Sequence, residues 1–321
     1  MGELPFALAP EAAFGAWLRE AEREMEPHRT AGTYRGFDGT ELPWQAVHAD
    51  RPRAHVVLLH GFTEFPEKYR ELCRYLQQAG CTVWLPVLRG HGQGGIVHVD
   101  RFEDYVRDVA CFLRDIVPER PLLFGHSMGG GVAARLLQER PDCAARAVLC
   151  SPMLCPQTGR APHWLALGCA RALLRRGERE KSPLFSGAYD PDAEFSCSGC
   201  TSRARFRAAM DCRAECPAYR TMGASNRWVY ESLALRRRVL SPRACRRVQV
   251  PVLVCSAGRD TQVGLREQRL LAARLPQGRL LEFPDEKHEL YNAGNAGLAV
   301  FLGAVLDFFG LTAGYGKEET K

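Results

Sequence analysis

The chain of 321 residues carries 43 Lys and Arg against 37 Asp and Glu, a formal charge of +6, with 46% apolar and 25% charged residues. This composition is that of an ordinary globular protein and excludes a disordered chain, a collagen and a coiled coil. The sequence contains no run of 18 apolar residues, so we expect no membrane-spanning helix. The N-terminus lacks the features of a secretory signal.

The first half of the chain alternates between strand-like and helix-like segments. Residues 10–26 predict a helix, and strand-like runs at 33–37 and 42–48 flank Asp38-Gly39, a dipeptide typical of hairpin turns. Continuous apolar runs predict buried strands, and apolar residues at helical spacing predict the helices between them. These elements are a strand at 55–61, a helix at 66–80, a strand at 81–86, a helix at 99–118, a strand at 121–127, a helix at 129–140 and a strand at 145–152.

The alternation stops after residue 152 and resumes at residue 250. The remaining predicted elements are a strand at 250–258, a helix at 265–275, a strand at 278–284 and a helix at 297–309, followed by a frayed tail at 311–321. Such alternation predicts an α/β protein whose mostly parallel central sheet is flanked by helices. Residues 153–248 are then a helical cap inserted between two strands of a core formed by residues 1–152 and 249–321.

Charge divides sharply between the core and the insert. Residues 155–250 hold 18 Lys and Arg against 8 Asp and Glu, a net charge of +10, which leaves −4 for the rest of the chain. The basic residues either solvate the insert or form a cationic rim that attracts an anionic substrate or a lipid surface. The first helix of the insert, 162–176, either packs on the core or lies on a membrane surface. No nucleic-acid recognition module is visible, so we expect no nucleic-acid partner.

The most informative motif is Gly125-His126-Ser127-Met128-Gly129. A G-x-S-x-G pattern between a strand and a helix is typical of a nucleophile elbow, and its alternative is a plain glycine-rich turn. So tight a turn requires small residues at Gly125 and Gly129, and it lifts Ser127 above the end of the strand. The N-terminus of the following helix favours developing negative charge. We therefore predict that Ser127 is a nucleophile.

A serine nucleophile needs a base that accepts its proton and an acid that orients the base. Among nine histidines, His288 follows the last predicted strand, at the sheet edge where Ser127 is expected. Asp260 follows the strand at 250–258, and the order Ser127, Asp260, His288 is the one expected for this architecture. The competing carboxylates are all near His288 in the chain: Glu282, Asp285 and Glu286.

Two backbone N–H groups are predicted to hold the oxyanion of a tetrahedral intermediate. One is the N–H of Met128, directly after the nucleophile. The other is the N–H of Phe62, in the turn that follows the strand at 55–61. We expect His60 in the same turn to be structural, bonding this loop rather than acting in catalysis.

The chain resembles α/β-hydrolases of the monoacylglycerol lipase and lysophospholipase L2 group, which are also grouped with serine aminopeptidase-like hydrolases. The resemblance rests on six segments: 58–69, 87–94, 98–109, 124–131, 256–263 and 287–292. It implies an α/β-hydrolase fold, with the family's nucleophile, acid and base on Ser127, Asp260 and His288 and its oxyanion amides on Phe62 and Met128.

The resemblance also implies the chemistry. It indicates a serine ester hydrolase that needs no cofactor or metal and acts on a monoacyl lipid, either a lysophospholipid or a monoacylglycerol. Segments 201–211 and 223–233 of the insert resemble the lysophospholipase L2 branch, and the basic cap favours the phosphate-bearing substrate. One departure is Phe65, which stands where many relatives carry histidine. The sequence therefore does not predict how the oxyanion loop packs.

Two other functions fit the same residues. A serine aminopeptidase-like peptidase would use the same triad on an amide, but it would need cap carboxylates to hold a substrate amino group. The candidates for that role are Glu194, Asp211, Glu215 and Glu231. A non-catalytic ligand-binding relative usually lacks a triad member, whereas none is missing here.

The chain contains thirteen cysteines, of which Cys197, Cys200, Cys212 and Cys216 are close together in the insert. They could hold zinc or form a disulfide, but we expect buried free thiols, with Cys212 and Cys216 on one face of a helix. Without a secretory signal, reduced thiols indicate a cytoplasmic protein, with peripheral membrane contact through the basic cap as a further expectation. The sequence does not indicate an oligomeric state.

Overall fold

The computed structural model describes residues 4–182 and 189–312. The described strands are β1 (Arg29–Arg35), β2 (Glu41–Val47), β3 (Ala54–Leu59), β4 (Cys81–Pro86), β5 (Gly95–Val97), β6 (Leu122–His126), β7 (Arg146–Cys150), β8 (Thr221–Ala224), β9 (Val252–Ala257) and β10 (Gly278–Phe283). The described α-helices are α1 (Phe14–Met25), α2 (Arg70–Gln78), α3 (Phe102–Asp115), α4 (Met128–Glu139), α5 (His163–Arg175), α6 (Arg203–Glu215), α7 (Asn226–Val239), α8 (Pro242–Cys245), α9 (Leu265–Arg274) and α10 (Asn295–Phe309).

Eight strands form one sheet in the order β1-β2-β4-β3-β6-β7-β9-β10. The pairs β1–β2 and β2–β4 are antiparallel, and every other pair in this sheet is parallel. The strands β4, β6 and β9 are buried along their whole length, which is why they read as continuous apolar runs. The predicted α/β class, with a mostly parallel sheet flanked by helices, is confirmed.

Helices cover both faces of the sheet. One cluster of buried apolar side chains includes Phe112 of α3 and Leu136 of α4. The other includes Leu76 of α2 and Phe301 of α10. The two clusters form the core, and the sheet separates them, as expected for a layered α/β fold.

The predicted elements agree with the observed ones to within a few residues. The Asp38-Gly39 hairpin joins β1 to β2, with Gly39 at φ +86°. The helix predicted at 99–118 is shorter because Asp104 caps its start, accepting the Arg101 N–H at 3.0 Å. Most of the predicted frayed tail, from residue 313 onward, lies outside the described residues.

The sequence did not predict the small parallel sheet formed by β5 and β8. These strands have three and four residues, and each contains a glycine at positive φ, Gly95 and Gly223. Such short, glycine-containing runs carry no periodic signal. The pair nevertheless joins a loop of the first core segment to the insert.

The insert leaves the sheet after β7 and returns at β9, and these two strands are neighbours. Its helix α7 packs on α3 and α4, and it contributes Trp228 and Leu235 to the buried core. Helix α6 is anchored by the buried Arg205, whose guanidinium binds Glu71 of α2 through two contacts of 2.6 Å. The division at residues 153–248 into a separate cap stays a prediction.

All thirteen cysteines are free thiols, but the expected burial is wrong for Cys197, which is exposed, and holds only in part for Cys216. Cys216 lies just beyond α6 with extended backbone, so it does not share a helix face with Cys212, contrary to the expectation from spacing. Among residues 4–182 and 189–312, no cluster of three His, Cys, Asp or Glu side chains is arranged to hold a metal ion. The same residues include no helix with the length and hydropathy needed to cross a bilayer.

Candidate active site

Ser127 lies in the sharp turn between β6 and α4, with φ +49° and ψ −117°. Its backbone N–H donates to the Cys150 carbonyl of the neighbouring strand at 3.0 Å, which holds the strained turn in place. A Cβ atom at Gly129 would collide with the Leu59 carbonyl, and one at Gly125 would lie 2.6 Å from the Gly129 carbonyl. The small residues expected on both sides of Ser127 are therefore required by space.

His288 and Asp260 lie in loops after β10 and β9, at the same sheet edge as Ser127. The imidazole Nδ1 is 2.6 Å from Asp260 Oδ2, and both side chains are buried. The other oxygen, Oδ1, accepts the N–H groups of Gln262 at 2.8 Å and Val263 at 3.2 Å. Asp260 therefore presents one fixed oxygen to the ring. A proton on Nδ1 leaves Nε2 of His288 available as a base.

Two of the three competing carboxylates have other partners in the structure. Glu282 forms an ion pair with Arg269, and Glu286 accepts the Thr201 hydroxyl at 2.5 Å. Asp285 is exposed. Among the residues that the structure describes, Asp260 is thus the carboxylate that forms a hydrogen bond with the His288 ring. None of the three alternatives does so.

Ser127 and His288 line one cavity of about 300 Å³. Its apolar wall comes from α6, through Phe206, Ala209 and Met210. No hydrogen bond joins the Ser127 hydroxyl to His288 in the described residues, as is common in sites that tighten only around substrate. The cavity places the two groups around a common space for a substrate.

Of the two predicted oxyanion residues, Phe62 lines this cavity, and Met128 directly follows Ser127, which also lines it. The N–H of Met128 opens α4, and the N–H of Phe62 lies in the turn after β3; neither has a protein acceptor among the described residues. The Phe62 ring packs on Trp228 of α7, with ring centroids 4.1 Å apart. Both N–H groups are therefore free to donate to an incoming oxyanion, and this role stays a prediction.

His60 is a structural residue of the same loop. It is fully buried, and its Nε2 accepts the Leu88 N–H at 3.0 Å while Nδ1 lies 2.8 Å from the Gly61 carbonyl. Burial lowers the pKa of His60, so the ring stays neutral and bonds the loop, as expected from the sequence.

A buried polar network beneath the site was not predicted. Glu64 accepts the Gly61 N–H at 2.6 Å and contacts His126 Nδ1 at 3.0 Å. Lys68 donates to Glu64 and to Glu289, at 2.7 Å in each case. Although burial opposes ionisation of Glu64, Lys68 and His126 hold its pKa well below the usual range. The network thereby ties the oxyanion loop to the residue after His288.

Phe65 and Arg213 pack the oxyanion loop against the insert. Phe65 is buried and stacks on Tyr219, with ring centroids 4.2 Å apart, beneath the Arg213 guanidinium. Arg213 also donates to the Thr63 carbonyl at 2.8 Å. The departure from histidine at this position is thus accommodated by aromatic and cation–π contacts with the insert.

Arg213 is also the insert's one basic residue on the cavity wall, among the residues described. It has no carboxylate within 4.0 Å there, whereas Lys68 on the same wall is paired twice. Other arginines of the insert are engaged elsewhere, Arg205 with Glu71 and Arg236 with Glu267. On the described wall, Arg213 is therefore the cationic side chain that has no carboxylate partner.

Cys200 also lines the cavity. Burial raises the pKa of its thiol to about 12. A thiol that stays protonated at neutral pH is a poor nucleophile, so Cys200 does not compete with Ser127.

Comparisons with known proteins agree with the observed fold. The family described as serine aminopeptidase, S33, matches residues 50–294. Lysophospholipase L2 of Escherichia coli K12 is 28% identical over 324 residues, covering 93% of each chain. Human monoglyceride lipase is 36% identical over 109 residues, 32% of this chain and 36% of that protein. The crystal structure of a Paleococcus ferrophilus monoacylglycerol lipase superposes with a TM-score of 0.67 at 23% identity, covering 85% of this chain and all of that one.

Proposed function

The chain belongs to the serine aminopeptidase S33 family, and from this premise we propose that it hydrolyses the ester bond of a monoacyl lipid. It is a serine hydrolase of the α/β-hydrolase fold, and the resemblance drawn from the sequence is confirmed at the level of the family. The observation that carries the proposal is the single cavity shared by the strained Ser127 turn and the Asp260-bound His288.

The proposed mechanism proceeds through an acyl-enzyme. Ser127 Oγ attacks the acyl carbonyl while His288 Nε2 accepts the hydroxyl proton. The N–H groups of Phe62 and Met128 hold the oxyanion, which then collapses as His288 protonates the leaving alcohol. Water, deprotonated by the same imidazole, attacks the acyl-enzyme and releases the fatty acid and free Ser127. These steps require no cofactor and no metal.

The cavity favours a single acyl chain and an anionic headgroup. Its volume of about 300 Å³ lies at the small end of ligand-binding cavities, and the wall formed by Phe206, Ala209 and Met210 suits a hydrocarbon chain. Arg213 provides the unpaired cation of the described wall, with its Nε buried and without a partner. A guanidinium binds phosphate oxygens through paired hydrogen bonds, so we favour a lysophospholipid over a monoacylglycerol.

A peptidase function is less well supported by the site, despite the family's description. A substrate amino group requires a free carboxylate, but both carboxylates on the described cavity wall, Glu64 and Glu289, are bound by Lys68. None of the four cap carboxylates proposed from the sequence lines the described cavity, and Glu231 is paired with Arg238.

A substrate panel tests the proposal. We expect turnover of lysophosphatidyl lipids and monoacylglycerols and little cleavage of aminoacyl anilides. Because a charge-assisted hydrogen bond contributes about 1.5–3 kcal/mol, Arg213→Gln should lower kcat/KM for the lysophospholipid roughly 10- to 150-fold. The matched control is Arg207→Gln, an exposed arginine of the same helix. Preferential cleavage of the anilides would contradict the lipid assignment. Equal losses on both esters in Arg213→Gln would mean that Arg213 only holds the Thr63 carbonyl.

We also propose a cytoplasmic location with peripheral contact to a membrane surface. The free thiols support a reducing compartment. The support for the membrane contact is α5, where Trp164 is 72% exposed, Leu165 is 43% exposed and Ala170 alone is buried. Exposed arginines, Arg171 and Arg175, follow toward its C-terminal end, which suits an anionic lipid interface.

Sedimentation with vesicles tests this contact. Trp164→Ser should weaken binding to phosphatidylglycerol-containing vesicles several-fold, because the indole supplies the largest apolar area on the exposed face of α5. The hydrolysis of a short, water-soluble ester should stay unchanged. Equal vesicle binding by the variant and the wild type would rule out α5 as the contact.

A further inference from the structure

A second cluster of arginines lies away from the cavity of Ser127. Residues 236–247 contain six arginines and no Asp or Glu. Three of these arginines, Arg238, Arg243 and Arg247, line a groove of about 390 Å³. Arg135 of α4, Ser241 and Ala244 complete its lining. No residue of this groove lines the cavity that holds Ser127 and His288.

The groove sits toward the opposite end of α4 from the nucleophile. Arg135 is eight residues after Ser127, which corresponds to about 12 Å along a helix. The groove is therefore a separate site and not an extension of the substrate cavity.

The arginines exceed the carboxylates that could neutralise them. Arg135 pairs with Glu139 at 2.6 Å, and Arg238 pairs with Glu231 at 3.0 Å and with Glu103 at 3.3 Å. In contrast, Arg243 and Arg247 are exposed and have no carboxylate within 4.0 Å in the described residues. Two guanidinium groups are thus available to a ligand.

An unused donor inside the groove points the same way. The Nε atom of Arg135 is buried and has no hydrogen-bond partner, whereas Arg238 Nε lies 3.3 Å from the Glu103 carboxylate. A buried N–H group without an acceptor is costly, and an anion with several oxygens would satisfy it. Guanidinium groups match phosphate oxygens in planar, paired hydrogen bonds.

The backbone that carries these arginines is held rigidly. Leu240, Cys245 and Val248 are buried in the main core cluster. Gln138 of α4 donates to the Val239 carbonyl at 2.7 Å, which ties the end of α7 to α4. The arginines therefore converge on the groove without a loop having to order around the ligand, which lowers the entropic cost of binding.

We propose that this groove is a second binding site, specific for a phosphate-bearing anion and independent of the hydrolytic cavity. The alternative is that the arginines only neutralise the negative C-terminal ends of α4 and α7. The proposed site and this alternative make different predictions: only the proposed site binds a free phosphate compound with an affinity that depends on Arg243 and Arg247.

Calorimetric titration of pyrophosphate into the full chain tests the site. We expect binding to the wild type and at least a ten-fold higher Kd in the double variant R243Q/R247Q. A matched control, R51Q/R279Q, removes two exposed arginines elsewhere and should bind as the wild type does. Arg213→Gln should also bind normally, because that residue lies in the other cavity. Hydrolysis by R243Q/R247Q should be unchanged, which verifies that the variant is folded.

The outcomes separate the proposal from its alternative. An equal Kd in the wild type and in R243Q/R247Q, or an equal loss in both double variants, would overturn it. Vesicles of phosphatidic acid that displace pyrophosphate would identify a lipid headgroup as a natural source of the phosphate. Vesicles that leave pyrophosphate bound would restrict the site to soluble phosphate compounds; either vesicle result retains the site.

Discussion

Replacing Ser127 by alanine is expected to abolish ester hydrolysis, with kcat lowered by about 10⁴-fold or more. The hydroxyl forms the acyl-enzyme, and the Ser198 hydroxyl on the same wall donates instead to the Phe195 carbonyl at 2.7 Å. Cys200, the one thiol there, has its pKa raised to about 12 by burial. The same substitution should also remove covalent labelling by a fluorophosphonate probe, because the probe forms its bond with the activated serine oxygen.

Ser151 offers a matched control for this substitution. Like Ser127, it is a buried serine at positive φ, +43°, directly after a parallel strand. Its hydroxyl has no hydrogen-bond partner, and it does not line the cavity. Ser151→Ala should retain labelling and turnover. A wild-type protein that stays unlabelled would favour the non-catalytic relative, and continued labelling of Ser127→Ala would assign the nucleophile elsewhere.

Asp260→Asn is expected to lower kcat/KM by roughly 10³- to 10⁴-fold while leaving the fold intact. The N–H groups of Gln262 and Val263 both donate to Oδ1, so an asparagine amide would place its oxygen there. Its NH₂ group would then face His288 Nδ1 in place of Oδ2. The imidazole would have to accept at Nδ1 and carry its proton on Nε2, which is the wrong tautomer for a base that faces Ser127.

This prediction is checked by steady-state kinetics alongside thermal unfolding. The control is Asp285→Asn, an exposed carboxylate near His288 in the chain, which should retain near wild-type kcat/KM. If Asp285→Asn were inactive and Asp260→Asn active, the acid would be misassigned. A large drop in the melting temperature of Asp260→Asn would mean that the variant loses activity because it unfolds. It would then not show that Asp260 sets the tautomer of His288.

The position of the candidate triad was foreseeable because it depends on loops that follow parallel strands. Ser127, Asp260 and His288 come after β6, β9 and β10, and parallel strands place such loops at one sheet edge. Chain order and the elbow motif were enough to select them. The contact between Asp260 and His288 appears in the structure as expected, while the catalytic roles stay predictions for the two substitutions above.

The buried network was not foreseeable from the same signals. Glu64, Lys68 and Tyr69 belong to a segment already noted for its resemblance, but nothing local connects them to Glu289 and Tyr291, more than 200 positions later. A buried charge is tolerated only where a partner satisfies it. The sequence around a charged residue in a helical segment does not indicate which distant residue will be its partner.

The sequence alone determined the order of the strands in the large sheet and of the helices between them, the elbow around Ser127 and the family, because hydrophobic periodicity and glycine requirements act between residues close in the chain. Only the tertiary structure decided which charges meet. Among the described residues, it placed Arg213 on the cavity wall without a carboxylate partner, paired Arg205 with Glu71, and gathered Arg135 and Arg247 around a distant groove. Such contacts depend on how whole elements pack. A charged side chain fits the local pattern of apolar and polar residues equally well whether it is solvated, forms an ion pair or binds a ligand.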